Sequence, residues 1–566
     1  MSTAYIATET TQLAIKASVQ NIETALSTLK AGMQPHITLH APTGSTVIIT
    51  NADDELTPEE IDESGLWEQD VPRFGKWTVT IAKAGEIDVS QVVNVTSLTV
   101  YEITMSFVYG TITVHTPAGT ALTLAGGTFP SQSKTSTGED TFDVYEAATF
   151  TVTATRDGST QTASVVVSAR TDYDVTIKGL VRYGFRKKKS ESSPSSRIEY
   201  LYDAVGKTPA GMDFVNGAFS YGDWGDLWFV TENKPLMLKG DCTVDYYLDP
   251  DDYTKKADGV TASDVSNTSY DGNAMAQFPL AYFYRYEADG YEYEIVSDGP
   301  FDANYKAYAH TRADGTIADY FYWSLFGGSG SSSKIRSLKG QTLAKSLTAA
   351  QEISGATANG TGWYTHTWSQ HEYIRTLLVL MGKSTNTQAV FGNGNGHSGV
   401  EADLLTTGTL SDKGQFFGYS DTNKQVKVFH VEKFWGDQWD RIAGIINNKG
   451  PLYYKMTPEG SGYQVDNVTG YTSTGVTMGG TSGGYISATK CGEWGCVPNT
   501  LSGSETTYEC DGGWYNNSQL DYPLVGGAVF NASGFSGAFS FAANSAPSDA
   551  NWAFGCGLSC EMPVAA

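Results

Sequence analysis

Hydrophobic residues recur along the 566-residue chain at periods that change from segment to segment. Near the start they alternate four- and three-residue spacings, so we predict a helix over residues 11–31 that ends at Gly32. The seam residues are Ile15, Val19, Ile22, Leu26 and Leu29. So short a helix is not stable alone. Either the chain's own neighbouring domain covers the seam or, as we favour, the helix forms a homotrimer or docks into a larger assembly.

A β-rich pattern then occurs twice. The matching pairs are Ile37–Gly44 with Ile112–Gly119, Trp77–Thr80 with Phe150–Thr153, and Tyr101–Thr104 with Tyr173–Thr176. Apolar residues alternate with Thr and Ser, which is typical of half-buried antiparallel strands. We therefore predict two immunoglobulin-like β-sandwiches, residues 34–107 and 108–180, with Pro42 and Pro117 at turns or edges. Neither copy contains a cluster of titratable groups, which favours spacers over ligand-binding modules.

The pattern changes again after the second copy. Residues 182–197 carry six basic residues and one acidic residue, so we predict a basic, Ser-rich linker over 181–198, with an anionic docking strip as the alternative. Beyond it, short apolar runs alternate with Gly, Asn, Asp and Ser. Helices are expected near Leu343–Gln351 and Ser369–Met381, the second capped by Gly382. The fold class is mainly β with some α, with a large α+β domain over 199–566.

Charge and composition argue against several classes of partner and location. A net charge of −25 argues against nucleic acid as a partner. No apolar run approaches the roughly 20 residues that span a bilayer, so we expect no membrane insertion. The N-terminus lacks the pattern of a secretory signal, so we expect assembly in the cytoplasm. We interpret the cysteines as buried or free thiols, with one disulfide or a metal site as alternatives: Cys242, Cys491, Cys496, Cys510, Cys556 and Cys560.

Motifs of catalysis are missing from the sequence. It contains no phosphate-binding loop, no H-E-x-x-H and no G-x-S-x-G elbow. We interpret His366 and His371 as structural rather than as a metal pair, and Asp249–Asp252 as a solvated turn rather than a calcium loop. We therefore expect no enzymatic activity, no cofactor and no metal.

The C-terminal end has the most distinctive composition. After Lys490 there is no Lys or Arg, while seven residues are acidic. Between Gly512 and Gly555, aromatic residues are separated mainly by Gly, Ser, Ala and Asn. Rigid aromatics among small polar residues are typical of recognition surfaces. The alternative is a core of Gly-rich strands that buries many of the rings.

Three stretches of this end, Cys510–Asn517, Gly526–Asn531 and Ala543–Leu558, resemble the variable region of bacteriophage receptor-binding proteins with a C-type-lectin fold. In that family a diversity-generating retroelement often varies the segment. The resemblance implies a glycine frame made of Gly512, Gly513, Gly526, Gly527, Gly537, Gly555 and Gly557. It implies receptor-binding positions at Trp514, Tyr515, Asn516, Asn517, Phe530, Asn531, Ser533, Phe535, Ser536, Phe539, Phe541, Asp549, Asn551 and Trp552.

Some family features are different here. The chain has Gly557-Leu558-Ser559 where many members have Gly-Phe-Arg, and it lacks the Glu-Pro-Asn type of loop of calcium-dependent lectins. It also lacks the cysteine arrangement of the copper site in formylglycine-generating enzymes, which share the fold. We therefore do not expect calcium-dependent sugar binding.

The resemblance implies a virion structural protein, a tail fibre or adhesin that acts outside the cell after assembly in the host cytoplasm. It would bind a bacterial cell-surface protein or glycan and contact other virion proteins through its N-terminal region. A capsid-attached decoration fibre and a polysaccharide depolymerase are the alternatives.

Overall fold

The computed structural model describes residues 15–24 and 34–561, except 85, 87, 397–398, 480–481 and 528–534. The chain divides into two units, residues 1–177 and 178–566. Strands dominate both units, so the fold is mainly β with some α, as predicted. Helix α1 covers residues 15–24, and Ile15, Val19 and Ile22 are exposed on it. Leu26, Leu29 and the rest of the predicted helix lie outside the described residues.

The first unit contains two sets of seven strands, one in each of the two repeated segments. The strands of the first are β1 His36–His40, β2 Thr46–Thr50, β3 Glu59–Glu60, β4 Leu66–Asp70, β5 Gly75–Ala82, β6 Val89–Val95 and β7 Val100–Thr104. Those of the second are β8 Gly110–His115, β9 Ala121–Gly126, β10 Gln132–Thr135, β11 Glu139–Val144, β12 Ala148–Arg156, β13 Ser159–Val167 and β14 Asp172–Thr176. Each has a three-stranded sheet (β4-β1-β7, β11-β8-β14) and a four-stranded sheet (β3-β2-β5-β6, β10-β9-β12-β13). An immunoglobulin constant-type sandwich also has four strands and three, but here the first strand pairs with the fourth and, in parallel, with the seventh, so the strand order is different.

Corresponding residues of the two copies make the same contacts. Tyr101 accepts hydrogen bonds from the backbone amides of residues 96 and 97, and Tyr173 accepts them from residues 168 and 169. Pro42 and Pro117 both lie in turns, as predicted, and each carbonyl accepts a hydroxyl hydrogen bond. The sequence repeat is therefore a repeat of structure.

The second unit has four helices, two 3-10 turns and many short strands among the described residues. The helices are α2 Trp228–Thr231, α3 Ala349–Thr357, α4 Trp368–Gly382 and α5 Thr387–Phe391, and the turns are Tyr308–His310 and Glu401–Asp403. The first strands are β15 Tyr183–Lys188, β16 Ile198–Tyr202, β17 Gly211–Asp213, β18 Ala218–Ser220, β19 Lys234–Lys239, β20 Val244–Asp249, β21 Asp252–Lys256, β22 Gly272–Pro279, β23 Tyr282–Ala288 and β24 Tyr291–Ser297. Next come β25 Tyr320–Ser324, β26 Ser329–Ser331, β27 Lys334–Arg336, β28 Trp363–Thr365, β29 Lys427–Val428, β30 Val431–Glu432, β31 Trp439–Arg441, β32 Ile445–Asn448 and β33 Pro451–Tyr454. The last are β34 Thr472–Thr477, β35 Ser482–Tyr485, β36 Ala488–Gly492, β37 Gly495–Thr500, β38 Gly512–Tyr515, β39 Leu520–Asp521, β40 Leu524–Val525, β41 Phe541–Ala543, β42 Phe554–Gly555 and β43 Leu558–Cys560.

Helix α4 is the centre of this unit, because every residue from Trp368 to Met381 is buried. The larger sheets have the orders β16-β15-β24-β23, β21-β20-β19-β22-β25-β43-β28, β35-β38-β41-β40-β31-β42 and β34-β33-β32-β39. The prediction of a helix at Ser369–Met381 is confirmed, although Lys383, not Gly382, is its C-cap. The other helix begins at Ala349, later than predicted, because the Thr348 side chain and Gln351 form a capping box there.

The basic segment is not a linker, so that prediction is wrong. Strand β15 pairs with β16 and β24 inside the domain. Its alternation turns Lys187 inward, where its Nζ lies 2.6 Å from a carboxylate oxygen of Glu292 and 2.7 Å from one of Glu509. Arg197 also pairs with Glu509. Basic residues indicate an exposed segment only when no buried acids are available to pair with them.

A second buried ion network lies beside the first. Arg375 on α4 pairs with Glu372 at 2.8 Å and with Glu294 on β24 at 2.5 Å. Arg285 on β23 contacts Glu294 at 3.2 Å and donates to the Glu372 carbonyl. The two networks attach the sheet of β15 and β24 to the central helix and to the C-terminal segments.

We expect Glu509→Gln to destabilise the second unit by about 3–5 kcal/mol, because it leaves Arg197 buried without its carboxylate and Lys187 with that of Glu292 alone. Glu199→Gln is the matched control: it breaks the half-exposed pair with Arg186 and costs about 1 kcal/mol or less. Urea denaturation of both variants measures the difference. Equal losses would mean that the segment is a solvated linker after all.

Candidate functional site

Those predicted binding rings that belong to the described residues lie in and beside the six-stranded sheet. Residues of neighbouring strands pair across it: Trp514 with Ala542, and Ala542 with Leu524. Because successive side chains of a strand point to opposite faces, these residues share one side. Phe541 and Val525 occupy the other side and belong to the main core. The sheet therefore has a core side and an outer side.

Aromatic rings form a continuous group on the outer side, which we call the aromatic face: Tyr485, Trp514, Phe535, Trp439, Trp552 and Phe554. Tyr485 stacks on Phe535 with ring centres 4.3 Å apart, and Phe535 lies 5.2 Å from Trp514. Trp514 meets Trp439 edge-on at 5.3 Å. All are partly exposed except Trp439, which is buried beneath the others. Trp552 and Phe554 pack in the same apolar cluster as Trp514 and Trp439.

Glycines make room for these rings. A Cβ atom on Gly483 or Gly512 would overlap Trp514, one on Gly512 would also overlap Phe535, and one on Gly527 would overlap Trp439. The rings therefore lie directly on the backbone of the sheet, and their positions are fixed by contact with it. All seven predicted frame glycines have a neighbouring atom within 3.0 Å of the position that a Cβ would take. The seven glycines are therefore close-packed, and their role as the frame of a binding face stays a prediction.

Four of the predicted receptor-binding residues do not face solvent. Tyr515, Ser536, Phe539 and Phe541 are buried, at 5 % exposure or less. Tyr515 and Phe541 lie on the core side by strand alternation. The amide of Phe539 donates a 2.8 Å hydrogen bond to the buried carboxylate of Asp511. The expectation that these four are displayed at the surface is wrong.

The remaining predicted residues divide into three groups. Trp514, Asn516, Phe535, Asn551 and Trp552 are partly exposed, and Asn517 and Asp549 are exposed. Phe530, Asn531 and Ser533 lie outside the described residues.

Sequence reasoning missed three rings of the face: Tyr485, Trp439 and Phe554. Gly483-Gly484-Tyr485 has the same two glycines before a ring as Gly512-Gly513-Trp514, and this signal could have identified Tyr485. Trp439 has no comparable signal, because only the pairing of β31 with β40 and β42 brings it to the face.

The electrostatics of the face are those of a neutral surface with acidic neighbours. Arg441 lies 5.1 Å from the ring centre of Phe554, but it is buried and donates to Glu352 at 2.6 Å. Asp549 is exposed beside the face. Burial raises the pKa of nearby Asp521 to about 6, against hydrogen bonds from Gln519 and Asn447 that favour its ionised form.

The cysteines form two disulfides, Cys242–Cys560 and Cys491–Cys496, while Cys510 and Cys556 are buried thiols. The preference for unpaired thiols is therefore wrong for four of the six. Ligand atoms of Cys496, Glu294 and Glu372 lie close enough together to hold a metal ion. They do not fit one, because the sulfur is in a disulfide and Arg375 neutralises both carboxylates.

The two histidines of the 366–371 segment pack as structural residues. His366 stacks on Trp323 with ring centres 3.4 Å apart, and His371 stacks between Trp368 and Phe434. The Asp249–Asp252 segment is a turn in which Asp249 accepts the amide of Asp251.

Comparisons with known proteins identify no family for this chain. No protein-family model matches the chain, and no curated protein matches it. Among solved structures, the Bacillus anthracis TIE protein is similar over 47 % of this chain and 48 % of its own, with 10 % identity and a TM-score of 0.13. The chain thus spans about half the length of that protein, and a likeness this small assigns neither fold nor function. None of the described helices is long and apolar enough to cross a membrane.

We expect Phe539→Ala and Phe535→Ala to differ sharply in stability. Phe539 is buried in the main core with Arg375 and Lys187 about its ring, so its loss should cost about 3–5 kcal/mol. Phe535 is partly exposed, so its loss should cost less than about 2 kcal/mol. Thermal and urea denaturation measure both. Equal costs would contradict the division of the rings between the two sides.

Gly512→Ala should displace the rings of Trp514 and Phe535, because the added methyl group would overlap both. We expect a weaker near-ultraviolet circular dichroism signal and a red shift of tryptophan fluorescence. Gly479→Ala is the control, since a Cβ there meets open space. Unchanged spectra in the Gly512 variant would show that the rings do not lie on this glycine.

Proposed function

We propose that the chain is a phage fibre adhesin that binds a bacterial surface molecule through the aromatic face. The observation that carries the proposal is the continuous group of partly exposed rings seated on a glycine backbone. A contiguous aromatic patch of this kind marks a binding site more often than an inert surface.

The construction of the face suits recognition. Ring side chains supply a large contact area at a small cost in conformational entropy. Asn516, Asn517 and Asn551 are at least partly exposed near the rings and offer both hydrogen-bond donors and acceptors. Ligand binding here would depend on ring contacts and neutral hydrogen bonds rather than on pairing with phosphate or sulfate.

The rest of the chain supports the same proposal. Each sandwich has one histidine beside two carboxylates, His36 with Glu68 and Asp70 and His115 with Glu139 and Asp174, and all of these side chains reach solvent. Solvated surface pairs of this kind suit a spacer, and the exposed apolar residues of α1 suit a trimeric or docked N-terminal anchor. Several heads on one fibre would raise the overall affinity through a high effective concentration. We further propose that the second unit belongs to the C-type-lectin class, with a surface that tolerates variation because the glycine frame fixes the backbone.

Staining of intact bacterial cells tests the function. The fluorescently labelled full chain should stain a subset of a panel of strains, and Trp514→Ala and Phe535→Ala should each reduce staining at least about tenfold. Phe74→Ala, which removes a ring that is 54 % exposed in the first sandwich, should leave staining unchanged.

Two outcomes would count against the proposal. Staining that is equal for wild type and the Trp514 variant would remove the aromatic face from binding. Release of reducing ends from capsule on the stained strains would favour the depolymerase instead.

A further inference from the structure

The second unit contains a cavity of about 530 Å³ whose lining residues are all different from those of the aromatic face. Tyr221, Tyr247, Asn233, Gln415 and His430 supply its aromatic and polar lining, and Val230, Leu248, Pro235 and Pro250 supply apolar surface. Tyr247 is 37 % exposed, so the cavity reaches solvent there. Its size lies within the range of small-molecule sites, about 300–1,000 Å³.

A hydrogen-bond relay fixes both tyrosines. The Tyr221 hydroxyl donates to Gln415 Oε1 at 3.0 Å, and Gln415 Nε2 donates to Asn233 Oδ1 at 2.8 Å. Asn233 Nδ2 continues to the carbonyl oxygen of Gln277 at 2.8 Å, and the Tyr247 hydroxyl donates to Gln277 Oε1 at 3.1 Å. Each phenol thus uses its proton within the relay and keeps acceptor capacity for a ligand.

His430 is held in the cavity wall at a conformational cost. Strands β29 and β30 are joined by Phe429-His430, and both residues have positive φ, 50° and 67°. Two-residue hairpins of this kind favour Asn-Gly, because most residues other than Gly, Asn and Asp are strained at positive φ. Phe429 is buried in the core, and His430 Nδ1 lies 2.8 Å from the Tyr253 hydroxyl. Strain that is retained in a cavity wall is a feature of functional sites.

The buried polar side chains of the lining are neutral. Burial, assisted by the charge of Lys427, lowers the pKa of His430 well below its ordinary value, so the imidazole is uncharged at neutral pH. Asn233 and Gln415 are amides. The charged side chains of the lining are Lys234 and Asp251, which have opposite signs and belong to exposed residues.

We propose that this cavity binds one or two rings of a neutral sugar. Tyrosine faces stack on the C–H surfaces of a pyranose, while fixed phenol oxygens accept hydrogen bonds from its hydroxyl groups. An anionic sugar would meet both signs of charge, because Lys234 Nζ lies 5.6 Å from the Tyr247 ring centre and Asp251 also lines the cavity. A purely apolar ligand would leave the relay's acceptors unsatisfied. The site is independent of the aromatic face and would give the chain a second point of contact with a glycan-covered cell.

Saturation-transfer NMR on the full chain tests the site, with the methyl glycosides of glucose, galactose, mannose and N-acetylglucosamine as probes. At least one should bind, and Tyr247→Ala should weaken that binding at least about tenfold. Tyr247→Phe keeps the ring and loses only the bond to Gln277, so it should fold normally and show an intermediate loss. Phe74→Ala and Trp514→Ala should bind the sugar as the wild type does.

Three results would overturn the proposal: no binding of any of the four glycosides, equal binding by the wild type and Tyr247→Ala, or binding of glucuronate in preference to every neutral sugar. Loss of sugar binding in Trp514→Ala with retention in Tyr247→Ala would place the sugar on the aromatic face instead. Failure here leaves cell staining through the aromatic face intact, so the two proposals fail separately.

Discussion

Contact between ring faces and bare backbone is the constraint on which the aromatic face depends. A strand presents alternate residues to opposite sides, and on the outer side of the six-stranded sheet Trp514, Phe535 and Trp439 each lie against a position without a side chain. Gly483, Gly512 and Gly527 provide those positions, and a methyl group on any of them would displace a ring. The same alternation sends Tyr515 and Phe541 into the core, where they support the sheet from behind.

The second unit is crosslinked by contacts between residues that are far apart in sequence. Lys187 and Glu509 form a buried ion pair although 322 positions separate them in the sequence. The Cys242–Cys560 disulfide joins β43 to the loop after β19. Helix α4 contributes Arg375 and Glu372 to a buried ion network. Removing one member of such a network leaves an uncompensated buried charge. Loss of a buried ion pair therefore destabilises the fold more than loss of a surface pair does.

Much of the architecture could be predicted from the sequence where one face of an element is buried and the other is not. The strands of the first unit have a clear periodicity for that reason. Helix α4 is buried on all sides, and the helical spacing of its apolar residues identifies it instead. The β15 segment could not be identified, because its inward lysine has partners that are distant in sequence, Glu292 and Glu509. The sequence also does not indicate that Phe535 is partly exposed whereas Phe539 is buried. This difference depends on Asp511, which draws the Phe539 backbone inward, and composition alone contains no information on that contact.

Hydroxyl-radical footprinting of the free chain, read residue by residue with mass spectrometry, tests the central claim most directly. The account predicts strong oxidation of Tyr485, Trp514, Phe535 and Trp552, and protection of Tyr515, Phe539 and Phe541. Protection of Trp514 and Phe535 to the level of Phe541, or comparable oxidation of all seven rings, would contradict the existence of a two-sided sheet with one aromatic face.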